Sequence, residues 1–220
     1  MAETMTDFAR EREQMVEQQL RRRGIHEPAI LDSFRAVPRE EFVAIDQAHL
    51  AYGDHPLPIE ASQTISQPYI VALMLQAAEI RTGDSVLEVG AGSGYAAALI
   101  GRIARTVVAI ERHHELVEMA RERLRRLSCA NVQVVEGDGT RGFPDGAPYD
   151  AILAAASGSH VPEALIAQLA PGGRLVMPVG DPGGVQELIK VTKQPAGILK
   201  QENLGGVRFV PLIGEEGWDG

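Results

Sequence analysis

The chain has 220 residues, a net charge of -9 at pH 7 and 45% hydrophobic residues, which suits a globular protein of one large domain or two small ones. The acidic balance argues against a nucleic-acid partner, and the single cysteine, Cys129, excludes an internal disulfide and suits a reducing compartment. No apolar run reaches the roughly 20 residues of a membrane span, and the polar start is unlike a secretory signal, so we expect a cytoplasmic protein without a membrane partner.

In chain order, the sequence divides into three parts that we expect to form one domain over residues 1–220, acting as a monomer. Residues 1–57 are mostly polar and predict a helical N-terminal extension. Residues 58–184 form the predicted cofactor-binding core. Residues 185–220 alternate apolar and polar side chains, which predicts strands, and the tail 215–220 is expected to fray.

Strand-like and helix-like segments alternate through the core. Short apolar runs rich in β-branched residues predict strands at 85–89, 106–110, 132–135, 151–154 and 174–179. Alternation at this spacing is typical of βαβ units in an α/β fold. We therefore expect a Rossmann-like, doubly wound, mostly parallel sheet, followed by antiparallel C-terminal strands. Ligands of such sheets bind at the carboxyl ends of the strands.

A glycine-rich loop follows the first core strand, and it consists of Gly90, Ala91, Gly92, Ser93 and Gly94. Alternate glycines let a ligand approach the backbone more closely than any Cβ would permit. Tyr95 stands where a dinucleotide-binding loop carries glycine or alanine, and Glu88 stands two residues before the first glycine. An acid beside the positive end of a helix disfavours a pyrophosphate and suits a ligand with a positive centre. S-adenosylmethionine, with its sulfonium and ammonium groups, is such a ligand.

Acidic residues follow the next two core strands. Glu111 ends the second strand, where an acid reaches the ribose hydroxyls of an adenosine. Asp138 and Gly139 form a turn after the third strand, where an Asp-Gly turn meets an adenine edge. Taken singly, these residues are equally consistent with ordinary turns, but together, at the ends of consecutive strands, they predict a nucleoside site. His113 either contacts the adenosine or, as we favour, lies at an exposed helix start.

Two groups of motifs resemble known proteins. The core carries VLEVGAGSGY, VVAIER and VVEGDG, which resemble the successive cofactor motifs of class I methyltransferases. Residues 63–69 read QTISQPY, with AVPR before them and VRFVPL near the end, and this set resembles the protein-L-isoaspartate O-methyltransferase family over nearly the whole chain. The resemblance implies methyl transfer from S-adenosylmethionine to the free carboxylate of L-isoaspartyl residues in damaged proteins or peptides, with repair through a succinimide.

The resemblance also implies roles for individual residues. Ser66 is implied as the active-site serine, and the implied substrate site consists of Thr64, Ser66, Val207 and Phe209. Together with the glycines and acids above, the expected cofactor contacts are Ile65, Glu88, Gly90, Gly92, Ser93, Gly94, Glu111, Arg112, Asp138 and Gly139. A carboxylate acceptor is already ionised at neutral pH, so the reaction needs no strong general base. No third ligand stands at metal spacing beside the paired histidines at 113 and 114, so we expect no metal.

Alternatives remain open for the serine and for the acceptor. Ser66 also fits a helix cap, because Pro68 falls in the expected first turn of an apolar helix. Residues 60–62 read Glu-Ala-Ser where the family carries glycines, and residues 154–158 also depart from its pattern. These departures leave open a methyltransferase with another acceptor, or a non-catalytic module that binds S-adenosylmethionine.

Overall fold

The computed structural model describes residues 7–219, so the first six residues and the last residue of the expected domain lie outside it. Its strands are β1 (Leu57–Pro58), β2 (Thr64–Ile65), β3 (Ser85–Val89), β4 (Thr106–Glu111), β5 (Val132–Glu136), β6 (Tyr149–Ala154), β7 (Leu169–Val179), β8 (Gln186–Lys193) and β9 (Leu199–Val207). Its α-helices are α1 (Phe8–Gln14), α2 (Pro28–Ala36), α3 (Pro68–Ala77), α4 (Tyr95–Gly101), α5 (His114–Arg126) and α6 (Glu163–Ala167). Shorter 3-10 helices include Arg39–Phe42 and Ile45–Leu50. Between residues 7 and 219, no helix has both the length and the apolar character needed to cross a bilayer.

The N-terminal extension is helical, as the sequence predicts. α1 continues through a π-helical turn, Met15–Leu20, and a 3-10 turn, Arg21–Arg23, and Gly24 ends it with a φ of +97°. Only glycine adopts that left-handed backbone at little cost, so the chain reverses there. Buried side chains of the extension, such as Val16 and Phe34, belong to the same hydrophobic cluster as the inner faces of α3 and α4. The extension therefore shares the core of the sheet domain.

The large sheet has the strand order β5-β4-β3-β6-β7-β8-β9. The strands from β3 to β7 pair in parallel, whereas β8 and β9 pair antiparallel with their neighbours. This arrangement confirms the doubly wound α/β fold with antiparallel C-terminal strands. The chain runs outward from β3 through β4 to β5 and then returns to β6 on the other side of β3. The switch point, where such sheets bind ligands, therefore lies at the carboxyl end of β3.

β7 begins earlier than the sequence predicts. The predicted strand starts at residue 174, but the observed strand starts at Leu169, which pairs with Tyr149 of β6. The pairing register shifts before Ala151, and this irregularity accommodates the Pro-Gly-Gly sequence at 171–173 inside the strand. Pairing with β6 therefore keeps the Pro-Gly-Gly sequence within the strand, although the sequence predicts a turn there.

The C-terminal tail is anchored, so the prediction that residues 215–219 fray is wrong. The indole N–H of Trp218 donates to the carbonyl oxygen of Ser157 at 2.9 Å, and its backbone N–H donates to Leu212 at 2.8 Å. Both acceptors lie near the carboxyl ends of the strands, so the tail is fastened on that side of the sheet.

Candidate active site

A cavity of about 310 Å³ opens at the carboxyl ends of β3 and β4, where the strand order places the switch point. The segment between β2 and α3, the glycine loop and the stretch after β9 surround it. Its walls include Thr64, Ile65, Ser66, Glu88, Gly90, Gly92, Ser93, Tyr95, Glu111, Arg112, His113, Gly139, Phe209 and Leu212. Most residues expected at the site thus meet in one cavity, although they come from distant parts of the chain.

The glycine loop turns sharply between β3 and α4. Gly90 and Gly92 line the cavity and have φ values of +87° and +53°. Gly94, expected at the cofactor, does not line the cavity and is instead the N-cap residue that precedes α4. A Cβ on Gly94 would lie 3.1 Å from the Cβ of Ala120, so this glycine allows α4 and α5 to pack closely. Its φ of +87° adds a second reason for glycine there.

Glu88 presents an unsatisfied carboxylate to the cavity. Its side chain is 2% exposed, and its Oε2 atom is buried without a hydrogen-bond partner within residues 7–219. Burial raises the pKa of this carboxyl well above its usual range, and the nearby charge of Glu111 raises it further. Buried polar atoms are nearly always hydrogen-bonded in folded proteins, so an unmet acceptor at a cavity wall indicates a place for a donor or a cation from a ligand.

Glu111 is held rigidly by the backbone around it. Its Oε2 accepts the N–H of Gly92 at 2.9 Å, and its Oε1 accepts those of Arg112 at 2.8 Å and His113 at 3.0 Å. An ionised carboxylate has about four lone-pair sites, so it keeps capacity for ligand hydroxyls. His113 is the N-cap of α5, in line with the expected helix start, and it also lines the cavity. A histidine two residues after the acid that ends β4 is the sequence signal for this position.

Asp138 points away from the cavity, although the sequence predicts a cofactor contact. Its carboxylate accepts the N–H and hydroxyl of Thr140 at 2.9 and 2.7 Å and the N–H of Glu215 at 2.8 Å. Burial opposes ionisation, but these hydrogen bonds prevail and hold the pKa of Asp138 below its usual range. Gly139 does line the cavity, and a Cβ there would lie 2.5 Å from the side chain of Val89. Asp138 therefore fastens the C-terminal segment beside the site.

Ser66 lies between β2 and α3 and lines the cavity. The cap of α3 is Gln67, with no side-chain cap bond, so the alternative that Ser66 caps the helix is wrong. The carbonyl oxygen of Ser66 accepts a hydrogen bond from Arg39 at 2.9 Å. The serine hydroxyl makes no hydrogen bond with the rest of the described chain, which leaves it available to a ligand.

The other expected substrate residues are divided between the cavity and its support. Thr64 and Phe209 line the cavity, but Val207 is buried at the end of β9 and does not. Gln186, which is 1% exposed, accepts the N–H of Phe209 at 2.8 Å and so fixes the stretch after β9. No local sequence signal indicates Gln186, because a glutamine in an alternating strand is expected to face solvent.

The segment that departs from the family pattern forms the turn of the β1–β2 hairpin beside the cavity. Ala61 and Ser62 adopt φ values of +53° and +56°, a conformation that glycine adopts more easily. Glu60 approaches Arg123 of α5 at 3.7 Å, and Arg123 reaches the carbonyl oxygen of Ser93 at 3.5 Å. An ion pair therefore connects the hairpin to α5 and the glycine loop.

These features fit S-adenosylmethionine. Glu88 offers an unpartnered oxygen beside a cavity whose floor is a glycine loop, and Glu111 retains acceptors for a pair of hydroxyls. The remaining walls are mostly apolar, with Ile65 and Leu212 among them, which suits a nucleoside ring. A positive centre, hydroxyls and an aromatic base are thus each matched by a different part of the wall.

Comparisons with known proteins agree with this geometry. The family model described as protein-L-isoaspartate(D-aspartate) O-methyltransferase matches residues 10–217. A relative from Rhodopseudomonas palustris (strain HaA2), named protein-L-isoaspartate O-methyltransferase 1, is 52% identical over 99% of this chain and 89% of its own. A solved protein-L-isoaspartate O-methyltransferase is 30% identical, with a TM-score of 0.83, covering 94% of this chain and 67% of its own. A putative enzyme of that name from Plasmodium falciparum, solved in complex with S-adenosyl-L-homocysteine, is 26% identical with a TM-score of 0.79, covering 92% and 98%.

Proposed function

Because the chain belongs to the protein-L-isoaspartate(D-aspartate) O-methyltransferase family, we propose that this cavity transfers a methyl group from S-adenosylmethionine to the free carboxylate of L-isoaspartyl residues in damaged proteins or peptides. The ester then collapses to a succinimide, which initiates repair. The observation that carries the proposal is that one cavity joins Ser66, from the QTISQPY segment, to the acids at the ends of β3 and β4.

The cofactor contacts are divided by chemistry. Glu88 and Glu111 favour a cationic ligand, and the fixed carboxylate of Glu111 accepts ribose hydroxyls. The backbone of Gly90, Gly92 and Ser93, together with Ile65, Arg112 and Gly139, completes the contact surface. Gly94 and Asp138 act behind that surface, through helix packing and through the anchored tail. S-adenosylmethionine, when bound, supplies an electrophilic methyl group on a positively charged sulfur.

The chain promotes the reaction by positioning the acceptor carboxylate. The acceptor carboxylate is ionised at neutral pH, so no residue needs to remove a proton. The Ser66 hydroxyl donates a hydrogen bond to one carboxylate oxygen and aims the other at the methyl group. Thr64 and Phe209 form the adjoining substrate wall, and Val207 is buried at the end of β9, two residues before Phe209. Opposite charges approach and cancel in this reaction, and apolar walls that exclude water favour such a step.

The proposal extends to the domain organisation, cellular location and oligomeric state of the protein. We take residues 1–220 as one domain, because the N-terminal extension shares the core cluster of the sheet. The protein acts in the cytoplasm as a monomer without nucleic acid, which the single cysteine and the net charge of -9 support.

Transfer of labelled methyl groups to a short isoaspartyl peptide tests the proposal, with the aspartyl peptide of the same sequence as control. We expect base-labile label on the isoaspartyl peptide alone. We expect Ser66→Ala to reduce kcat/KM by about 100-fold while cofactor affinity holds. Cofactor binding without label on either peptide would refute the proposed function and favour another acceptor or a binding module.

A further inference from the structure

Arg39 is a buried cation that the reaction described above does not use. It begins the 3-10 helix Arg39–Phe42, in the AVPR segment, and its side chain is 0% exposed. Within residues 7–219 no carboxylate lies within ion-pair distance of its guanidinium, and its Nη1 makes no hydrogen bond. A charge buried without an opposite partner destabilises a fold, so its presence points to a task that a neutral side chain does not perform.

The guanidinium joins three separate segments beside the cavity. Its Nε donates to the carbonyl oxygen of Ala51 at 2.8 Å, and its Nη2 donates to that of Ser66 at 2.9 Å. Its Cζ atom lies over the ring of Tyr95, the first residue of α4, at 4.9 Å from the ring centre. The rigid planar fork of arginine bonds two carbonyls and stacks on a ring at once, which a lysine ammonium does not reproduce.

A second contact fixes the same backbone from the other side. The Gln67 side-chain amide donates to the carbonyl oxygen of Asp54 at 3.0 Å and to its Oδ2 at 2.8 Å. The peptide between Ser66 and Gln67 is therefore held between two attachments to the segment that follows the 3-10 helix Ile45–Leu50. Arg39 is the attachment that acts directly on the serine.

We propose that Arg39 is the positioning residue of Ser66: its guanidinium fork fixes the Ser66 carbonyl against Ala51 and so sets where the serine hydroxyl stands in the cavity. This inference rests on the proposed function of Ser66. Arg39 does not line the cavity, so it acts through Ser66 rather than on the substrate. Misplacement of a positioning group by about 1 Å costs on the order of 100-fold in rate.

A double-mutant cycle on the full chain tests the proposal. Arg39→Met, Ser66→Ala and the double variant are compared with the unmodified protein for kcat and KM on an isoaspartyl peptide. Calorimetry with S-adenosylhomocysteine follows the cofactor site. We expect Arg39→Met to lower kcat/KM by about 100-fold, with cofactor affinity within about threefold. The kcat/KM of the double variant should be no lower than that of Ser66→Ala alone, because both changes remove the same interaction of the serine hydroxyl.

Arg174→Met is the matched control. Arg174 is also a buried arginine that donates to backbone carbonyls, those of Ala78 and Asp150 at 2.8 Å, but it lies away from the cavity and pairs with Asp84. We expect it to lower the melting temperature and leave kcat/KM unchanged. If Arg174→Met lowers kcat/KM as much as Arg39→Met does, the kinetic loss follows stability and the proposal is overturned.

The outcomes separate this inference from the proposed function. No methylation by the unmodified protein contradicts the proposed function itself. An active protein whose Arg39→Met variant keeps its kcat/KM, or whose two losses multiply in the double variant, overturns the role of Arg39. If the methionine variant does not fold, Arg39→Lys decides: it keeps the charge but not the fork, so a reduced kcat/KM at an unchanged fold supports the proposal and a full rate overturns it.

Discussion

Replacing Glu88 by glutamine should stabilise the free protein and weaken its cofactor binding. The glutamine side chain has nearly the same shape, so the change removes the charge and leaves the packing. Glu88 is 2% exposed, and its Oε2 atom has no hydrogen-bond partner among residues 7–219. An ionised group in such a place costs several kcal/mol. An unpaired glutamine amide costs about 1 to 3 kcal/mol, so the variant should be about 2 kcal/mol more stable when the wild-type carboxyl is ionised.

The gain in stability should depend on pH. Burial raises the folded-state pKa of Glu88 above its value in the unfolded chain. Between these two values the folded protein holds more protons than the unfolded chain, so the wild type loses stability as pH rises through that window. Below the unfolded value the carboxyl is neutral in both states. Urea unfolding followed by circular dichroism should therefore show similar stabilities at pH 4, and a more stable variant at pH 8.

The effect on binding should have the opposite sign. A hydrogen bond to a charged group contributes about 1.5 to 3 kcal/mol, so Glu88→Gln should lower S-adenosylmethionine affinity by about 10- to 100-fold at pH 8. Titration calorimetry measures this loss, and Glu122→Gln, on the exposed face of α5, serves as the control that keeps the wild-type affinity. A variant that binds as tightly as the wild type and is no more stable at pH 8 would refute the assignment of Glu88.

Three further changes test the surroundings of the cavity. Glu60→Gln removes the ion pair with Arg123, so stopped-flow measurement should find cofactor dissociation about fivefold faster, and an unchanged rate would contradict the proposed hold on the hairpin. Gly139→Ala places a Cβ 2.5 Å from the side chain of Val89, so thermal unfolding should show the free energy of unfolding lowered by about 1 to 3 kcal/mol. An unchanged stability would show that the Val89 side chain moves aside without cost. Asp138→Asn should cost about 1 to 2 kcal/mol in urea at pH 7 and expose the single tryptophan to quenching. The pKa of Asp138 in the folded protein lies below the unfolded value near 3.8, so the ionised carboxylate stabilises the wild type above that pH and the contribution is lost as pH falls. The unfolding free energies of the two proteins should therefore converge in acid. Equal stabilities at pH 7 would contradict a role for these hydrogen bonds.

Much of the site was predictable because its signals are local. The glycine loop and Glu111 are read from a strand, a turn and a helix within about 30 residues, and the strand order then brings those loops to one edge. Ser66 was identified only through the resemblance to a family, because periodicity alone favours a helix cap at this position. The observed cap at Gln67 excludes that alternative.

Which residues of the predicted loops contact the cavity was often not predictable. Gly94 and Asp138 lie in the predicted loops, but one packs against α5 and the other turns toward the C-terminal tail. Both contacts are made with residues that lie far away in the sequence. The same holds for Gln186, whose buried amide fixes the stretch after β9.

The sequence by itself determined the α/β fold, the cofactor loop and the acids at the strand ends, because hydrophobic periodicity and turn residues act over short stretches of chain. Only the tertiary structure decided which side chains reach the cavity and what supports them. Arg39 meets Ser66 across 27 positions, and Asp138 meets Glu215 across 77. Contacts at such separations arise when the sheet and its helices close on one core, and no local pattern of residues encodes them.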